Sequence, residues 1–493
     1  MGRLRFYAPG CEAILAEFAS RGYMAGLEGI PWVTRCTAQG EHLNVDRETS
    51  ESGMFYFPWR VVGHGEMLLT TSTLMEREEP YHLPLELARG TINRLRGQMS
   101  SWQLVGLKVP ESFEPQVRAA TQLLAQAATQ QHKPETVTPL ANQANQLGNA
   151  AIENLCEMYG EQALALRLNG GPLATLVGCR LEAVPEGRAE KKILETFNAV
   201  TIPFMWREIE TVAEQRNWEK YDQLIDWARH NNMKICGGPL MQFDKRSLPD
   251  WTYLWEDEWD ELQAYILGHV AAVVSRYKGR VHLWNVAGRV NVDPLLSINE
   301  EQMLRLMVDV VETVRNNDSR IPTVVSFDQP WSEHMGLHDR DLPPLHFADT
   351  LARAELGIAG FGLEINWGYW PQGTPERDFI EVSRLIDRWT LLGHPLLITL
   401  TAPSDSTPDP LARHAGKPIC DPANKSPSLA TQLRAVEGIV PVLLAKSSVQ
   451  ALFWNQWSDN AQHDFPHSGL IDKSGRAKPA LKALGELRDK LHG

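Results

Sequence analysis

From about residue 171 to its end, the chain alternates eight times between a strand-like run and a helical or loop segment. The runs are short and apolar, and several intervals carry apolar residues at helical spacing. The runs lie at 173–181, 199–206, 234–241, 281–286, 322–327, 357–366, 395–401 and 449–457. Eight such repeats predict a (β/α)8 barrel, an α/β fold. A doubly wound open sheet is the structural alternative, but no Gly-rich nucleotide-binding loop supports it.

The residues before these repeats show a different pattern. Residues 1–80 predict a β-rich module, because aromatic and β-branched runs at 54–62 and 66–73 flank a Gly-His-Gly turn. Residues 81–170 predict a helical segment that joins this module to the barrel at 171–493. Its helices are expected at 84–102, 115–131 and 138–159. We expect the arginines of the first helix to form a solvated or salt-bridged face, and the later helices could also form a self-association surface.

Composition limits the partners and the location of the chain. A formal charge of −13 argues against binding to nucleic acid or to an anionic membrane surface. The hydrophobic fraction of 43% is that of an ordinary soluble globular protein. No apolar stretch reaches about 18 residues, so no transmembrane helix is predicted. The first residues contain no signal-peptide core, and we therefore expect a cytoplasmic location.

The cysteines and histidines do not predict a metal site or a cofactor. The six cysteines are scattered without a CxxC pair, which predicts free buried thiols in a reducing compartment. The stretch from His463 to His467 suggests a metal site, but its spacing matches no standard zinc set and a fixed loop is the better interpretation. No cofactor is expected.

In barrels of this kind, the active site lies where the carboxyl ends of the strands meet the following loops. The fourth strand-like run bears most directly on function, because it continues into polar residues. Asn285, Gly288 and Arg289 occupy its end, and no carboxylate is among them.

Five stretches of the barrel region resemble, in chain order, the strand motifs of family-10 glycoside hydrolases, the xylanase family. They are FNAVT at 197–201, KICGGPL at 234–240 with LPDW at 248–251, WNVAGR at 284–289, GFGLEIN at 360–366 and LITLT at 397–401. The resemblance implies the (β/α)8 fold and, for active members, hydrolysis of β-1,4-linked xylose polymers by two glutamates. One glutamate is the acid/base on strand four, and the other is the nucleophile on strand seven.

At both glutamate positions this sequence departs from the family pattern. The acid/base position aligns with Arg289 and the nucleophile position with Leu400. Arginine stays charged and cannot donate a proton at neutral pH, and leucine has no nucleophilic atom. No glutamate lies near Arg289, and none occurs between Glu381 and Glu437, so a small shift in the alignment does not restore the pair.

Two carboxylates at other strand ends could form a relocated acid–base pair. Asp328 ends the fifth predicted strand and Glu364 lies near the end of the sixth, so the two side chains could approach each other. The competing hypothesis is that Arg289 neutralises one or both of them. An ion pair of this kind lowers the pKa of a carboxyl group and removes its use as an acid, and we favour it.

The same strand ends are rich in tryptophan and asparagine, which can stack on and hydrogen-bond to sugar rings. About half of such aromatic residues are expected to pack within a barrel or its loops instead. The substrate-binding candidates are Asn285, Arg289, Asn366, Trp367, Trp454, Asn455, Trp457 and Asp459. The stretches 366–370 and 454–457 are the best candidates for a carbohydrate-facing rim.

Three functions remain open on this sequence. The barrel could be a degenerate glycosidase that binds a saccharide or serves as an assembly subunit, and the missing glutamates favour that hypothesis. It could instead be an active glycoside hydrolase that uses Glu364 and Asp328. The third hypothesis is a structural protein whose N-terminal helices form a homo-oligomer.

Overall fold

Eight parallel strands form a closed barrel, as the sequence predicts. The computed structural model describes residues 2–244, 247–292, 296, 298–337, 342–413, 416–421 and 426–492. Within the described residues, the barrel strands follow one another around the ring in chain order, each hydrogen-bonded to the next. The barrel therefore closes by pairing its last strand with its first, and an open sheet is excluded.

Before the barrel, the chain forms two four-stranded sheets. Their strands are β1 Gly2–Tyr7, β2 Tyr23–Ala25, β3 Pro31–Trp32, β4 Thr34–Gln39, β5 His42–Arg47, β6 Met54–Val61, β7 Gly65–Thr70 and β8 Tyr81–His82. One sheet has the order β4-β5-β1-β8 and the other has the order β3-β2-β6-β7. The predicted pair of strands around the Gly-His-Gly turn is confirmed, because β6 and β7 pair antiparallel. The short helix α1, Glu12–Phe18, was not predicted; it buries Leu15 and Phe18 against the sheets.

Three long helices follow these sheets. They are α2 Leu83–Leu104, α3 Glu114–Thr129 and α4 Pro134–Leu168. The second and third predicted helices are separate, as the sequence predicts, but α4 begins at Pro134, earlier than the predicted residue 138. Pro134 lies in the first turn of α4, a position that tolerates the missing backbone N–H. Helix α2 joins the N-terminal sheets to the barrel through Arg94, which is buried and lies 2.8 Å from the Asp378 carboxylate. The salt-bridged alternative for this arginine is therefore the correct one.

The barrel strands and helices alternate in the predicted order. The elements are β9 Leu176–Arg180, α5 Gly187–Thr196, β10 Ala199–Ile202, α6 Trp206–Ile209, α7 Glu219–His230, β11 Lys234–Gly237, α8 Trp259–Tyr277, β12 Leu283–Ala287, α9 Glu300–Asn317, β13 Thr323–Asp328, α10 Pro344–Arg353, β14 Gly360–Asn366, β15 Tyr369–Trp370, α11 Phe379–Thr390, β16 Leu396–Thr401, β17 Lys417–Pro418, α12 Leu429–Leu444, β18 Val449–Trp454 and α13 Pro479–His492. Three short 3-10 helices lie at Ala19–Arg21, Asp250–Trp255 and Glu333–Gly336. Several predicted runs are longer than the strands they contain. The additional residues are polar loop residues and prolines at the strand ends, which do not form hydrogen bonds between strands.

All six cysteines are free thiols, as predicted. Four of them are buried, whereas Cys36 is partly exposed and Cys420 is exposed. Among the helices of the described residues, none combines the length and the apolar character that crossing a lipid bilayer requires.

Candidate functional site

The side chain of Arg289 lies at the centre of the carboxyl end of the barrel. It follows β12, and its backbone is in the left-handed region, with φ of 56°. The strand ends just before Gly288 and Arg289, so the long side chain of Arg289 extends between the carboxyl ends of the barrel strands. Arg289 is only 7% exposed. A buried guanidinium is stable only with carboxylate or carbonyl partners, and the surroundings of Arg289 supply them.

Glu364 of β14 is the main partner of Arg289. The guanidinium Nε donates to one carboxylate oxygen of Glu364 at 3.0 Å, and Nη2 donates to the other at 2.5 Å. This two-point geometry fixes both groups in one plane. The Asp244 carboxylate lies further away, at 3.8 Å. The predicted ion pair between Arg289 and a relocated carboxylate is therefore present, and Glu364 is the carboxylate involved.

Asp464 links Arg289 to a second buried arginine at the end of the first barrel strand. One Asp464 carboxylate oxygen accepts from Arg289 at 3.2 Å and from Arg180 at 2.9 Å. Asp464 belongs to the loop 455–478 after β18, which we call the inner loop. Its next residue, Phe465, lies under the Arg289 guanidinium with 5.7 Å to the ring centroid. The inner loop therefore occupies the centre of the barrel mouth.

Neither Arg180 nor the role of Asp464 was predicted from the sequence. Arg180 is the last residue of β9, so its position at a strand end was a usable signal. Asp464 carried no comparable signal, because it lies between two histidines in a loop and pairs with a residue 175 positions away.

Asp328 and Glu364 occupy paired positions on the neighbouring strands β13 and β14. Asn366 donates to both of them, at 3.0 Å to Asp328 and at 3.1 Å to Glu364. Burial raises the pKa of Asp328 well above its ordinary value, and the negative charge of Glu364 adds to that rise. Burial also favours the neutral form of Glu364, but the charge and hydrogen bonds of Arg289 outweigh it and lower the pKa of Glu364. The surroundings therefore shift the pKa values of the two carboxyl groups in opposite directions.

Comparison with known proteins supports the family suggested by the strand ends. Residues 175–294, which include Arg289, match the model of Glycosyl hydrolase family 10. The chain resembles family-10 glycoside hydrolases. Endo-1,4-beta-xylanase 3 of Hypocrea jecorina is 32% identical over 103 residues, 21% of this chain and 27% of that protein. Beta-1,4-xylanase of Dictyoglomus thermophilum is 30% identical over 118 residues, 24% of this chain and 31% of that protein. The matched stretch thus spans between a quarter and a third of these relatives.

Solved structures extend the likeness to the whole barrel. Native xylanase 10B from Thermotoga maritima superposes with a TM-score of 0.50 at 18% identity, covering 66% of this chain and 97% of that one. Xylanase 10B from Thermotoga petrophila in complex with xylobiose gives the same TM-score and identity, covering 67% and 97%. At this identity the likeness concerns the fold alone.

In this family-10-like barrel, the tryptophans predicted to form a carbohydrate-facing rim are buried. Trp454 is 2% exposed, and its indole N–H donates to the backbone carbonyl of Ser468 at 2.8 Å. Trp367 and Trp457 are also buried and belong to the hydrophobic core. The core covers these three rings, and Trp454 is also bonded to the inner loop. Whether any of them contacts a sugar stays a prediction.

The polar candidates are engaged in structural hydrogen bonds. Asn455 donates to Glu364 at 3.0 Å, and Asn285 accepts from the Ser326 hydroxyl at 3.0 Å. Asp459 forms a buried ion pair with Lys478 at 2.5 Å. Together with Asn366, these residues fix the strand ends and the inner loop. Whether any of them also contacts a substrate stays a prediction.

The His463–His467 stretch forms a fixed loop, and the described residues contain no cluster that could hold a metal ion. His463 Nε2 lies 3.0 Å from an Asp409 carboxylate oxygen, and the backbone N–H of His467 donates to the same oxygen at 3.0 Å. Burial alone would raise the pKa of Asp409, but these hydrogen bonds, Lys473 and His463 lower it to about 2. An ionised Asp409 therefore holds the inner loop against the loop that follows β16.

Proposed function

We propose that this protein is a family-10-like barrel that does not hydrolyse glycosidic bonds. The observation that carries the proposal is the Arg289 guanidinium, which binds both oxygens of Glu364 and one oxygen of Asp464. Both oxygens of the Glu364 carboxylate are engaged by a cation, which weakens it as a nucleophile. Its depressed pKa also prevents it from acting as an acid near neutral pH.

The chemistry that the family resemblance implies needs two carboxyl groups about 5–5.5 Å apart across the scissile bond. We infer from the aligned motifs that Arg289 occupies the acid/base position here. The aligned motif predicted Leu400 at the nucleophile position, but Leu400 pairs with Ile365 and both are buried in the hydrophobic core. The β16 side chains that share a face with Glu364 and Asn366 are Thr399 and Thr401. A guanidinium cannot protonate a leaving oxygen, and β16 has no carboxylate on either face, so the retaining mechanism lacks both of its reacting groups.

A non-catalytic role is consistent with how the mouth is filled. The inner loop places Asp464 and Phe465 against Arg289 at the carboxyl ends of the strands, and the three tryptophans predicted to form a rim are buried in the core. Within the proposal, the protein is either a saccharide-binding protein whose inner loop moves aside or a subunit of a larger assembly. We retain the cytoplasmic location as part of the proposal, since the six free thiols are compatible with a reducing compartment.

A second function is favoured by one specific observation. The pKa of Asp328 is raised and that of Glu364 is lowered. An acid–base pair of carboxyl groups needs such a separation of pKa values. Against this function, Asp328 is only 1% exposed and Glu364 is bound by Arg289. An active glycosidase using this pair would need both groups to become accessible.

Incubation of the full chain with xylobiose and longer xylo-oligosaccharides tests the proposal. Xylobiose is a suitable probe because it is bound by the Thermotoga petrophila xylanase in its crystal structure. We expect no shorter products by chromatography, whether or not the sugar raises the melting temperature. Accumulation of xylose or shorter oligosaccharides, lost in Glu364→Gln, would replace the proposal with the relocated-pair enzyme. A large, stable assembly that no sugar affects would support the subunit role over saccharide binding.

A further inference from the structure

A cavity of about 280 Å³ lies between the N-terminal sheets, helix α2 and barrel helix α11. We call it the arginine cavity, after Arg94, Arg384 and Arg388 in its wall. This volume lies just below the range of small-molecule sites, which starts at about 300 Å³. Thr73 and Asn93 at its edge are exposed, so the cavity is reachable from solvent. It is separate from the barrel mouth, and none of the residues discussed above as mouth residues line it.

The arginine cavity carries more positive than negative charge. Arg94 is paired with Asp378 at 2.8 Å and lies 3.7 Å from Glu381. Within the described residues, no carboxylate lies within ion-pair distance of Arg384 or Arg388. Arg384 donates to the neutral amide of Gln98 at 3.0 Å instead. Three guanidinium groups thus face two carboxylates, which leaves one positive charge uncompensated.

Arg384 also lies in an environment that disfavours its own charge. Burial lowers the pKa of Arg384, and the positive charges of Arg94 and Arg388 lower it further, against the opposing effect of Glu381 and Asp378. A bound anion would relieve both effects, since it replaces lost solvation and offsets the like charges.

Neutral hydrogen-bonding groups line the same cavity. The Thr70 hydroxyl is buried, with its residue only 1% exposed, and its oxygen has no hydrogen-bond partner among the described residues. Thr71, Ser72 and Asn93 add further polar groups to the wall. Buried polar atoms of this kind are usually satisfied. The unpaired hydroxyl therefore indicates a place where a ligand hydroxyl can bind.

We propose that the arginine cavity binds a small carboxylate anion that also carries hydroxyl groups, the chemical class of a sugar acid. Its carboxylate lies between Arg384 and Arg388, which present the forked donors that recognise planar carboxylates. Its hydroxyls bind Thr70 and Asn93. A monoanion matches the uncompensated charge, and a polyhydroxylated body matches the row of hydroxyl and amide groups.

Calorimetric titration of the full chain with four probes tests both parts of this recognition. Glucuronate carries the ring hydroxyls and the carboxylate, glucose has the ring without the carboxylate, and acetate has the carboxylate without the ring. Inorganic phosphate is the general anion control. We expect glucuronate to bind at least about tenfold more tightly than the other three, a difference of about 1.4 kcal/mol. Arg384→Gln and Arg388→Gln should each weaken glucuronate binding by about tenfold or more.

Arg305→Gln is the matched control, because Arg305 lies on barrel helix α9 in an exposed pair with Glu301. It should leave glucuronate affinity unchanged within about twofold. Thr70→Val should weaken glucuronate more than acetate, since it removes only the hydroxyl partner. Absence of glucuronate binding to the wild-type chain, or phosphate binding as tight as glucuronate, would overturn the proposal. Equal affinity in the two arginine variants and the control would do so as well. The wild-type series decides the question even if one variant does not fold.

Discussion

Arg289 and Glu364 are joined at the barrel mouth by two hydrogen bonds of 3.0 and 2.5 Å. Arg289 is a cation on the loop after β12, and Glu364 is an anion within β14. Each is buried enough that it needs the other, because an isolated charge at such a site loses most of its solvation. The pair therefore serves first as structure, and chemistry at this place would have to break it.

Replacing Arg289 by Met should destabilise the fold strongly. The substitution leaves Glu364 and Asp464 without their shared cation, and removal of one partner of a buried ion pair typically costs about 3–5 kcal/mol. The measurement is the free energy of unfolding in urea. Arg305→Met, in an exposed helical pair, is the control and should change stability by less than about 0.5 kcal/mol. Equal stability of the two variants would show that the pair contributes little.

Gly90 and Gly97 of helix α2 form a matched pair for testing how this helix packs on the N-terminal sheets. A Cβ at Gly90 would lie 1.8 Å from the backbone carbonyl oxygen of Thr70, whereas a Cβ at Gly97 meets nothing within 4 Å. Gly90→Ala should cost about 1–3 kcal/mol or more through overpacking. Gly97→Ala should stabilise by up to about 1 kcal/mol through helix propensity.

Thermal unfolding of both alanine variants measures this difference. A Gly90→Ala protein as stable as the Gly97→Ala protein would contradict the close approach of α2 to the end of β7.

Glu376 should make stability depend on pH near neutrality. Burial raises the pKa of Glu376 to about 7; Arg434 opposes this rise, and Glu66 and Glu153 add to it. An acid whose pKa is higher in the folded state binds a proton more tightly there. The protonated carboxyl group therefore makes its full contribution to the free energy of unfolding below the unfolded-state pKa of about 4.5. That contribution is lost as the pH rises towards about 7. We expect the free energy of unfolding to fall over this window by up to about 3 kcal/mol.

Urea unfolding at about pH 5 and about pH 8 checks this window. Glu376→Gln cannot ionise, so it should remove most of the fall and be more stable than the wild type at the higher pH. Glu157→Gln, on the exposed side of α4, should keep the wild-type pH dependence. If Glu376→Gln shows the same pH dependence as the wild type, the carboxyl group is not the cause.

Much of the barrel was predictable because its strands are short apolar runs whose spacing is set by the helices between them. The ion pair of Arg289 was predictable for a related reason, since the carboxyl ends of all parallel strands meet on one side of a barrel. Arg289 and the carboxylates of Glu364 and Asp328 therefore lie close together at these strand ends, with few other charged groups to pair with.

The state of the barrel mouth could not be predicted, because it depends on the inner loop. Trp454 and Trp367 follow apolar runs, and the sequence does not indicate whether a loop covers their rings. Asp464 fixes the inner loop through its contacts with Arg180 and Arg289, which are distant in sequence. A local sequence pattern does not indicate such a contact, so the burial of these tryptophans could not be predicted.

Hydrolysis of an aryl β-xyloside is the most direct test of the central claim. When the aryl group is nitrophenyl, the nitrophenolate leaves without protonation, so hydrolysis needs no general acid. Such a substrate therefore detects a nucleophilic carboxylate even in a protein that has lost its acid residue. We predict that the wild type, Glu364→Gln and Asp328→Asn release nitrophenolate no faster than buffer, while a family-10 xylanase measured alongside does so readily. Release by the wild type that disappears in Glu364→Gln would contradict the account, because it would show that Arg289 leaves this carboxylate free to attack.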